Sequence, residues 1–341
     1  MKTAVVILNY NGKKFLEDFL PTVIQHSKTA AIYVADNCST DDSVAYLKAE
    51  FPEVNIIINS SNGGFATGYN QALSQIKSEY YVLLNSDIEV TENWLEPCIE
   101  LLDKQPEIAA VQPKILSFKR KSTFEHAGAA GGFLDKNFYP FCQGRIFEEV
   151  EEDLGQYDEN KEVFWATGAC LFIRSEVYHK MGGLDDDFFA HMEEIDLCWR
   201  IKKTGHQIYY CAKSQVYHVG GGTLDYMNPK KTYLNFRNSL YMIAKNYEGN
   251  LLLKMLHRLL LDGVAAILFI IKFKFSHFKA VFMAHMHFYR DWSVLKKKRQ
   301  EIKKISTNFN SVGLYKRSIL VMKFLRGIKS FKSLKSEDFN S

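Results

Sequence analysis

Two acidic residues of this sequence directly follow runs of apolar residues, at positions where a carboxylate could bind a ligand. Asp36 follows the apolar run 31–35, and Asp87 closes the segment 85–87, which follows the run 80–84. The first carboxylate could accept a hydrogen bond from the imide N–H of uracil or thymine. The second could bind Mg²⁺ or Mn²⁺, which prefer oxygen ligands and neutralise charge on a departing diphosphate. Taken singly, either residue could equally cap a loop or form an Asx turn.

A glycine-rich segment over residues 62–70 could bring backbone N–H groups to an anion. Gly63, Gly64 and Gly68 let the backbone approach a ligand closely. The helix predicted to follow would direct free N–H groups and its positive dipole end toward that ligand. The Gly-x-Gly-x-x-Gly pattern of dinucleotide-binding folds is absent from the sequence. The alternative is a plain turn at the start of a helix.

Three acids, Glu193, Glu194 and Asp196, lie at the start of a predicted helix over 194–204. One of these carboxylates could act as general base toward a hydroxyl group. The alternative is a solvated helix N-terminus, where acidic residues are common.

A single histidine, His218, precedes the glycines 220–222. Its imidazole could bind a metal ion or contact a phosphate. By itself such a histidine is more often structural, so the residue is a weak candidate without its context.

The elements that position these residues alternate between short apolar runs and helical segments. The predicted strands are 4–8, 31–35, 54–58, 80–84, a region within 163–173, 207–210 and 215–218, and the predicted helices are 13–26, 44–51, a segment ending at 76, and 194–204. Continuous apolar runs are typical of strands buried on both faces. The order predicts an α/β fold with a mostly parallel, Rossmann-like sheet and helices on both faces. Ligands of such sheets bind beyond the carboxyl ends of the strands, where Asp36 and Asp87 fall.

The last 91 residues differ from the rest in charge. They hold 19 of the 43 basic residues but only 5 of the 39 acidic ones, which leaves the first 250 residues acidic. The apolar run 259–271 is shorter than the roughly 20 residues that span a bilayer, and basic residues interrupt the sequence after it. Basic residues among apolar and aromatic ones predict helices that lie in a membrane interface. The alternative is a buried helical subdomain with a basic outer face.

The cysteine pattern favours a reducing compartment. None of the six cysteines forms a Cys-x-x-Cys pair, and several lie in apolar runs, where a reduced cysteine acts as a small hydrophobe. The N-terminal apolar run 4–8 is too short for a signal peptide. We therefore expect a cytoplasmic protein.

Taken together and in this order, these segments resemble the inverting family 2 glycosyltransferases of the GT-A fold. The similarity is to the rhamnosyltransferase-like and galactofuranosyltransferase-like bacterial subgroup. The matching motifs are 5–12, 36–41, 62–70, 84–87, Gly168-Ala169 with Arg174, 182–185, Phe188-Phe189, 193–200 and His218. They extend over about residues 3 to 240, and their shared order is far more specific than any one of them.

The resemblance implies a role for most of these residues. Those implied to bind the nucleotide are Asn9, Asn11, Asp36, Asn62, Gly64, Asn70, Asn85 and Ser86. Asp87 would bind a divalent metal ion, Mg²⁺ or Mn²⁺, with His218 as the second protein ligand. The sequence departs from the family's Asp-x-Asp motif, because Asn85 replaces the first acid and supplies no charge.

The resemblance also implies the catalytic base and the acceptor side of the site. Glu194 would be the base, where the family often has Asp, and Glu193 is the second candidate. The residues implied to contact the sugar or acceptor are Trp165, Gly168, Phe189, Asp196 and Arg200. The alternative for Trp165 and the pair 188–189 is that they are ordinary core aromatics. The segment 117–156 is expected to help cover the acceptor side.

The implied function is transfer of one sugar, with inversion, from a UDP- or dTDP-sugar to a hydroxyl of a glycan or lipid-linked acceptor. The setting would be bacterial surface polysaccharide synthesis, peripheral on the inner face of the plasma membrane, with no nucleic acid partner. Residues 1–245 would form the GT-A catalytic domain, and 246–341 a C-terminal helical basic region. An inactive sugar-nucleotide-binding relative or scaffold is the alternative.

Two other enzyme classes fit the sequence poorly. A nucleotidyltransferase would need a glycine-rich triphosphate loop with a nearby basic residue, and residues 9–14 match that pattern badly. A processive polysaccharide synthase would carry Gln-x-x-Arg-Trp and several membrane spans, and the sequence contains neither.

Overall fold

The computed structural model describes residues 1–220 and 228–340, so most of the glycine run after His218 lies outside the described residues. The strands are β1 (Thr3–Asn9), β2 (Ala30–Asp36), β3 (Asn55–Ile58), β4 (Tyr80–Asn85), β5 (Ile88–Val90), β6 (Ile108–Ser117), β7 (Gly132–Asp135), β8 (Pro140–Cys142), β9 (Arg145–Ile146), β10 (Glu149–Val150), β11 (Lys161–Glu162), β12 (Cys170–Arg174), β13 (Gln207–His218) and β14 (Leu314–Tyr315). The helices are α1 (Lys13–His26), α2 (Ser43–Glu50), α3 (Gly64–Leu73), α4 (Glu96–Lys104), α5 (Ser175–Lys180), α6 (Glu193–Lys202), α7 (Pro229–Asn246), α8 (Leu251–Ile271), α9 (Phe275–Arg290), α10 (Trp292–Ile305) and α11 (Ile319–Phe324). Short 3₁₀ turns occur at Asp186–Phe188, Phe331–Ser333 and Ser336–Asp338.

The N-terminal half of the main sheet is parallel, in the order β3-β2-β1-β4. Its register places Asn9 beside Asp36 and Leu8 beside Asn85, so the polar residues that end three strands meet at one edge. Successive residues of β1 contribute to opposite cores: Val6 packs on one face and Val5 and Ile7 on the other. Burial on both faces explains the continuous apolar runs and confirms the predicted α/β fold.

The second half of the sheet is mixed. β12 pairs antiparallel with β4 and β6, and β13 runs parallel to β6. The two short strands expected over 207–218 are one strand with an irregularity between Cys211 and Gln215. Within the region expected at 163–173, only β12 is a long strand, and residues 163–167 form a buried connection.

Helices cover both faces of the sheet. Apolar residues of α1, α2 and α4 pack in one core, and those of α3, α5 and α6 pack in the other. The second core extends into α7–α11, so the C-terminal helices share buried contacts with the rest of the protein.

A small sheet in the order β10-β9-β8-β7-β14 takes four of its five strands from the segment 117–156, which was expected to help cover the acceptor side. Its last strand, β14, comes from the C-terminal region and pairs in parallel with β7. The rings of Phe331 and Phe339 pack against Phe133, at centroid distances of 4.9 and 5.3 Å. The end of the chain thus packs against residues of the N-terminal part, and the division at residue 245 stays a prediction.

In the C-terminal helix α8, polar residues lie on the buried side and apolar residues lie on the exposed side. Its inner side carries the ion pair between Arg258 and Asp262, with Nε and Oδ1 3.0 Å apart. Of its ten exposed residues, nine are apolar and the tenth is His257. In the part of the chain that is described, no helix is both long and apolar enough to cross a membrane.

Candidate active site

The carboxylate of Asp36 lies at the end of β2 and is buried. Nδ2 of Asn9 donates to its Oδ2 at 3.0 Å, and the backbone N–H of Ser39 donates to its Oδ1 at 2.8 Å. A carboxylate has about four acceptor positions, so both oxygens retain capacity for a base N–H. The Oδ1 atom of Asn9 is buried without a hydrogen-bond partner in the described chain. This side of the site therefore offers two acceptors at adjacent strand ends.

Asn11 ties two loops together. Its backbone has a positive φ of 50°, and its Oδ1 accepts hydrogen bonds from the backbone N–H groups of Thr40 and Asp41. This oxygen therefore holds the loops after β1 and β2 in place. A direct contact of Asn11 with the nucleotide stays a prediction.

The glycine-rich loop is closed by the segment that precedes α6. A Cβ at Gly64, whose φ is +80°, would collide with the carbonyl oxygen and ring of Phe189. The backbone N–H of Phe65 donates to the same oxygen at 2.6 Å. Asn62 accepts from the Gly64 N–H and from Asn37 Nδ2, both at 3.0 Å. In this conformation Gly64 allows the close packing of Phe189, and the contacts of Asn62 and Gly64 with a nucleotide stay predictions.

The side-chain amide of Asn70 makes four hydrogen bonds inside the protein. Its Oδ1 accepts from the Tyr178 hydroxyl and the Leu184 N–H, and its Nδ2 donates to the Leu184 carbonyl and to Asp186. The amide has no hydrogen-bonding capacity left for a ligand in this conformation, and the nucleotide contact of Asn70 stays a prediction.

Asp87, His218 and Glu125 form a buried row. Nε2 of His218 lies 3.2 Å from Oδ1 of Asp87, and Nδ1 lies 3.0 Å from Oε2 of Glu125. Pairing of β5 with β13 brings His218 opposite Ile88, next to Asp87 in the chain. Burial opposes a charge on the ring, but the two carboxylates outweigh it and raise the pKa of His218 to about 10. Burial would raise the pKa of Glu125, yet the hydrogen bond from His218 lowers it below its usual value.

This row suits a divalent metal ion held at one end. Asp87 offers a carboxylate oxygen, and His218 would offer Nε2 once an incoming ion displaces the proton that the two carboxylates favour on the ring. Glu125 would still accept from the other ring nitrogen, the usual arrangement around a metal-bound histidine. Among the described residues, no three His, Cys, Asp or Glu side chains are arranged so that all three could bind one metal ion. An ion here would complete its shell with water and diphosphate oxygens, as Mg²⁺ commonly does. Asn85 and Ser86, next to Asp87, are partly exposed at this edge.

Glu194 lies near the end of β4, to which Gly168 and Ala169 connect it. A Cβ built at Gly168 would lie 3.6 Å from the Cβ of Glu194 and 3.0 Å from the ring of Phe65. The following residue, Ala169, accepts from the Asn85 N–H at 2.9 Å. Through these neighbours the end of β4, the glycine loop and the start of α6 meet at one place. Glu194, Gly168 and Asn85 are thus brought together as the sequence suggested.

The two glutamates of α6 differ in ionisation. Burial raises the pKa of Glu194 to about 6. Burial and the neighbouring Glu194 carboxylate raise the pKa of Glu193 well above its usual range. Each has a buried Oε2 without a hydrogen-bond partner in the described chain. Glu194 can therefore be ionised near neutral pH, while Glu193 is held protonated, which favours Glu194 as a base.

The turn before Glu193 and Glu194 has a strained backbone, and hydrogen bonds from a buried side chain hold it in place. Phe189, His191 and Met192 all have positive φ angles between 62 and 73°. Side chains other than glycine adopt such angles at a cost of about 1–3 kcal/mol each, so neighbours must impose them. The buried Nδ2 of Asn238, on α7, is within 2.7–2.9 Å of the carbonyl oxygens of residues 188, 190 and 191. Helix α7 thus fixes the turn that carries the candidate base.

Three residues that were expected on the acceptor side are core residues. Asp196 has no exposed surface, and its carboxylate contacts Arg200, Lys245 and Asn246. The guanidinium of Arg200 also donates to the carbonyls of Met181 and Gly183.

Trp165 is 4% exposed, and its Nε1 donates to the Phe133 carbonyl at 3.0 Å. The polar atoms of Asp196, Arg200 and Trp165 are thus used inside the protein, and their contacts with sugar or acceptor stay predictions. Phe189 and Gly168 remain candidates beside the cleft.

Two residues of the site were missed by the sequence reasoning. Glu125 lies in an irregular segment, 93 positions before His218, and only tertiary structure reveals the pairing. Asn238 lies in the middle of α7, where a fully buried asparagine is unusual. A polar residue on the apolar side of a helical pattern was the available signal for Asn238.

Comparison with known proteins places the chain among sugar-transferring enzymes. The family model described as glycosyl transferase family 2 matches residues 4–182. The N-acetylglucosaminyl-diphospho-decaprenol L-rhamnosyltransferase of Mycobacterium tuberculosis is 23% identical over 237 residues, covering 63% of this chain and 75% of the relative. The low-salt glycan biosynthesis hexosyltransferase Agl10 of Haloferax volcanii is 21% identical over 243 residues, or 69% and 73%.

Two solved structures share the fold. GalNAc-T7 with UDP, GalNAc and Mn²⁺ has a TM-score of 0.56 at 17% identity, over 72% of this chain and 48% of that protein. The present chain thus spans about half of that structure. The mannosyltransferase PcManGT of Pyrobaculum calidifontis, in complex with GDP-Man and Mn²⁺, has a TM-score of 0.51 at 13% identity, over 89% and 85%. These similarities support the architecture, including the mixed sheet and its helical covering.

Proposed function

This chain belongs to glycosyl transferase family 2, and from that premise we propose that it moves one sugar from a UDP- or dTDP-sugar to an acceptor hydroxyl, with inversion. The observation that supports this most directly is the convergence of three chemistries at one sheet edge. In this proposal Asp36 would bind the nucleobase, Asp87 and His218 would bind the metal ion, and Glu194, whose pKa is raised, would act as the base.

The proposed reaction is a direct displacement at the anomeric carbon. Glu194 takes the proton of the acceptor hydroxyl, whose oxygen attacks the face opposite the nucleotide. The carbon–oxygen bond to the diphosphate breaks, and the configuration inverts. A base with a pKa near the working pH suits this transfer.

The donor is held by the strand ends in this proposal. Asp36 and Asn9 accept hydrogen bonds from the base, while Asp87 and His218 hold a divalent ion, Mg²⁺ or Mn²⁺. When bound, such an ion neutralises charge on the departing diphosphate. Glu125 keeps the Nε2 of His218 directed toward that position through its contact with Nδ1.

A glycan or lipid-linked acceptor is proposed from the relatives and from the C-terminal helices. The mycobacterial relative is named for a diphospho-decaprenol substrate and the archaeal relative for glycan biosynthesis. The basic C-terminal region and the apolar outer face of α8 support attachment to the inner face of the plasma membrane. Residues 1–245 would then form the catalytic unit and 246–341 the membrane-facing one.

A donor screen tests the proposal. The protein is incubated with several UDP- and dTDP-sugars and Mn²⁺ or Mg²⁺, and release of the nucleoside diphosphate is measured with and without acceptors. We expect one donor to release its diphosphate far faster than the others. The acceptor-dependent release should fall by about 10²–10⁴-fold in the Glu194→Gln variant. Equal, slow release from all donors would overturn the proposed donor class.

A further inference from the structure

A cavity of about 400 Å³ near the C-terminus is lined mainly by cations. Lys136, Lys316, Arg317 and Arg326 contribute the positive charges, and Asp338 is the one acid in the lining. That acid is already paired with Arg317, at 2.7 Å between Oδ2 and Nε. Among the residues that line the cavity, four cations thus face a single acid, and this excess of positive charge favours an anionic ligand.

Exposed apolar side chains border this cavity on α11. Val321 lines the cavity and is 41% exposed, and the next exposed residues of this segment include Phe324 and Leu325, at 68 and 80%. Large apolar groups next to a cationic cavity are unusual for a surface that faces only water. The pattern matches the boundary between lipid head groups and acyl chains.

The cavity adjoins helix α8 through the turn after β7. The Lys254 ammonium donates to the Lys136 carbonyl at 2.8 Å, and Arg258 donates to the Asn137 carbonyl at 3.3 Å. On the other side, Asn137 donates to Ser318, which precedes α11 and also lines the cavity. The turn after β7 thus contacts both apolar elements, α8 and the segment that leads into α11.

The outer face of α8 is suited to lipid. Leu253, Leu256, Leu260, Val264, Ile267 and Ile271 follow each other at helical spacing, and each is half or more exposed. The polar pair Arg258 and Asp262 points inward instead, where Tyr139 contacts both of its members. A helix in water would show the reverse distribution.

We propose that this cationic cavity binds the phosphate of an anionic lipid head group while the outer face of α8 lies among the acyl chains. The inference rests on the membrane association in the proposed function and adds a specific lipid site to it. A second copy of the chain is a poorer occupant, because both copies would bring a C-terminal region with 19 basic and 5 acidic residues. Like charges of that size repel, whereas anionic lipid is attracted.

The test is cosedimentation of the full chain with vesicles of phosphatidylcholine alone or mixed equally with phosphatidylglycerol. The cavity variant combines Lys136→Glu with Arg326→Glu. Its matched control combines Lys48→Glu with Lys77→Glu, two exposed lysines of the catalytic body, and makes the same change in net charge. A third variant, Leu260→Gln with Ile267→Gln, alters only the apolar face.

We expect the cavity variant to lose about tenfold or more of its affinity for the phosphatidylglycerol vesicles, and the control to lose less than about twofold. The apolar-face variant should bind both vesicle types more weakly. Equal losses in the cavity variant and its control would overturn the site in favour of general charge attraction. Release of the bound protein by soluble glycerol phosphate would assign the cavity to free phosphate esters and also overturn it.

Donor turnover without vesicles separates this inference from the proposed function. All variants should release nucleoside diphosphate at the wild-type rate and unfold at the wild-type temperature. If the wild type sediments with neither vesicle while transfer to a soluble acceptor proceeds, the lipid site is overturned and the transferase function stands.

Discussion

Glu125 and His218 are 93 positions apart in the chain, yet their Oε2 and Nδ1 atoms lie 3.0 Å apart in a buried contact. The contact fixes the ring orientation, so that Nε2 points at Asp87. A carboxylate behind a metal-binding histidine both orients the ring and strengthens it as a ligand. The residue therefore bears on metal binding without being a proposed ligand itself.

Replacing Glu125 by Gln is expected to weaken Mn²⁺ binding by about 10–100-fold, because the neutral amide supports the ring less well. Mn²⁺ affinity is measured by titration in the presence of nucleoside diphosphate, followed by the electron paramagnetic resonance of the free ion. The matched control is Glu107→Gln, an exposed glutamate outside the site. Unchanged Mn²⁺ affinity in the Glu125 variant, with the fold intact, would remove Glu125 from the metal site.

Replacing Glu194 by Gln is expected to lower kcat by about 10²–10⁴-fold, because a general base commonly contributes that much. Nucleotide affinity should stay near the wild-type value, since Glu194 lies on the acceptor side of the cleft. The wild-type rate should fall as pH drops through about 6, where this carboxylate gains its proton. Steady-state rates across pH 5 to 8 and nucleotide titrations check both points. Near-normal turnover in the variant, with Glu193→Gln inactive, would reverse the assignment of the base.

The ionised carboxylate of Glu194 should lower the free energy of unfolding. The pKa of Glu194 is about 6 in the folded state against 4.5 ordinarily, so the folded state binds its proton more tightly than the unfolded state. Stability from this group is then highest below pH 4.5 and falls as pH rises through 6, by about 2 kcal/mol. We therefore expect Glu194→Gln to unfold at higher urea concentration than the wild type at pH 7.5. The difference should shrink toward pH 4.5, and a variant equally destabilised at both pH values would contradict this account.

The parallel half of the sheet could be predicted because its physics is local. A strand buried on both faces must be apolar throughout, and the run 4–8 falls within Thr3–Asn9 of β1. The small sheet was missed because β9 and β10 are two residues long, too short to show an alternating pattern. The fifth strand of this sheet, β14, pairs with β7 but lies almost 180 positions after it in the chain. No local sequence pattern predicts a pairing over that distance.

The site was predicted best where residues end strands and worst on α6. Asp36 and Asp87 lie at the same edge of the sheet because the ends of neighbouring parallel strands meet there. Asp196 follows Glu194 by only two positions, but residues two apart point to different sides of a helix. Asp196 therefore enters the core, where Arg200 and Lys245 pair with it, while Glu194 stays at the cleft.

The hydrogen bonds from Asn238 to the turn before α6 allow a direct test of how Glu194 is positioned. The Asn238→Asp variant keeps the size of the side chain but removes the N–H donors to three carbonyls of the turn before α6. Without them the positive φ angles of Phe189 and His191 lose their support, and the turn should relax. We expect kcat to fall by about tenfold or more while the Kd for nucleotide changes little, because the strand ends that bind it are not affected.

The matched control for Asn238 is Ser239→Ala. Ser239 is the next residue in α7, is equally buried, and its hydroxyl has no hydrogen-bond partner in the described chain. Its variant should retain wild-type kcat and stability. A purely structural role for Asn238 would instead lower the unfolding temperature while the correctly folded fraction kept its normal kcat. Active-site titration of that fraction distinguishes the two, because a positioning role lowers the turnover of every folded molecule.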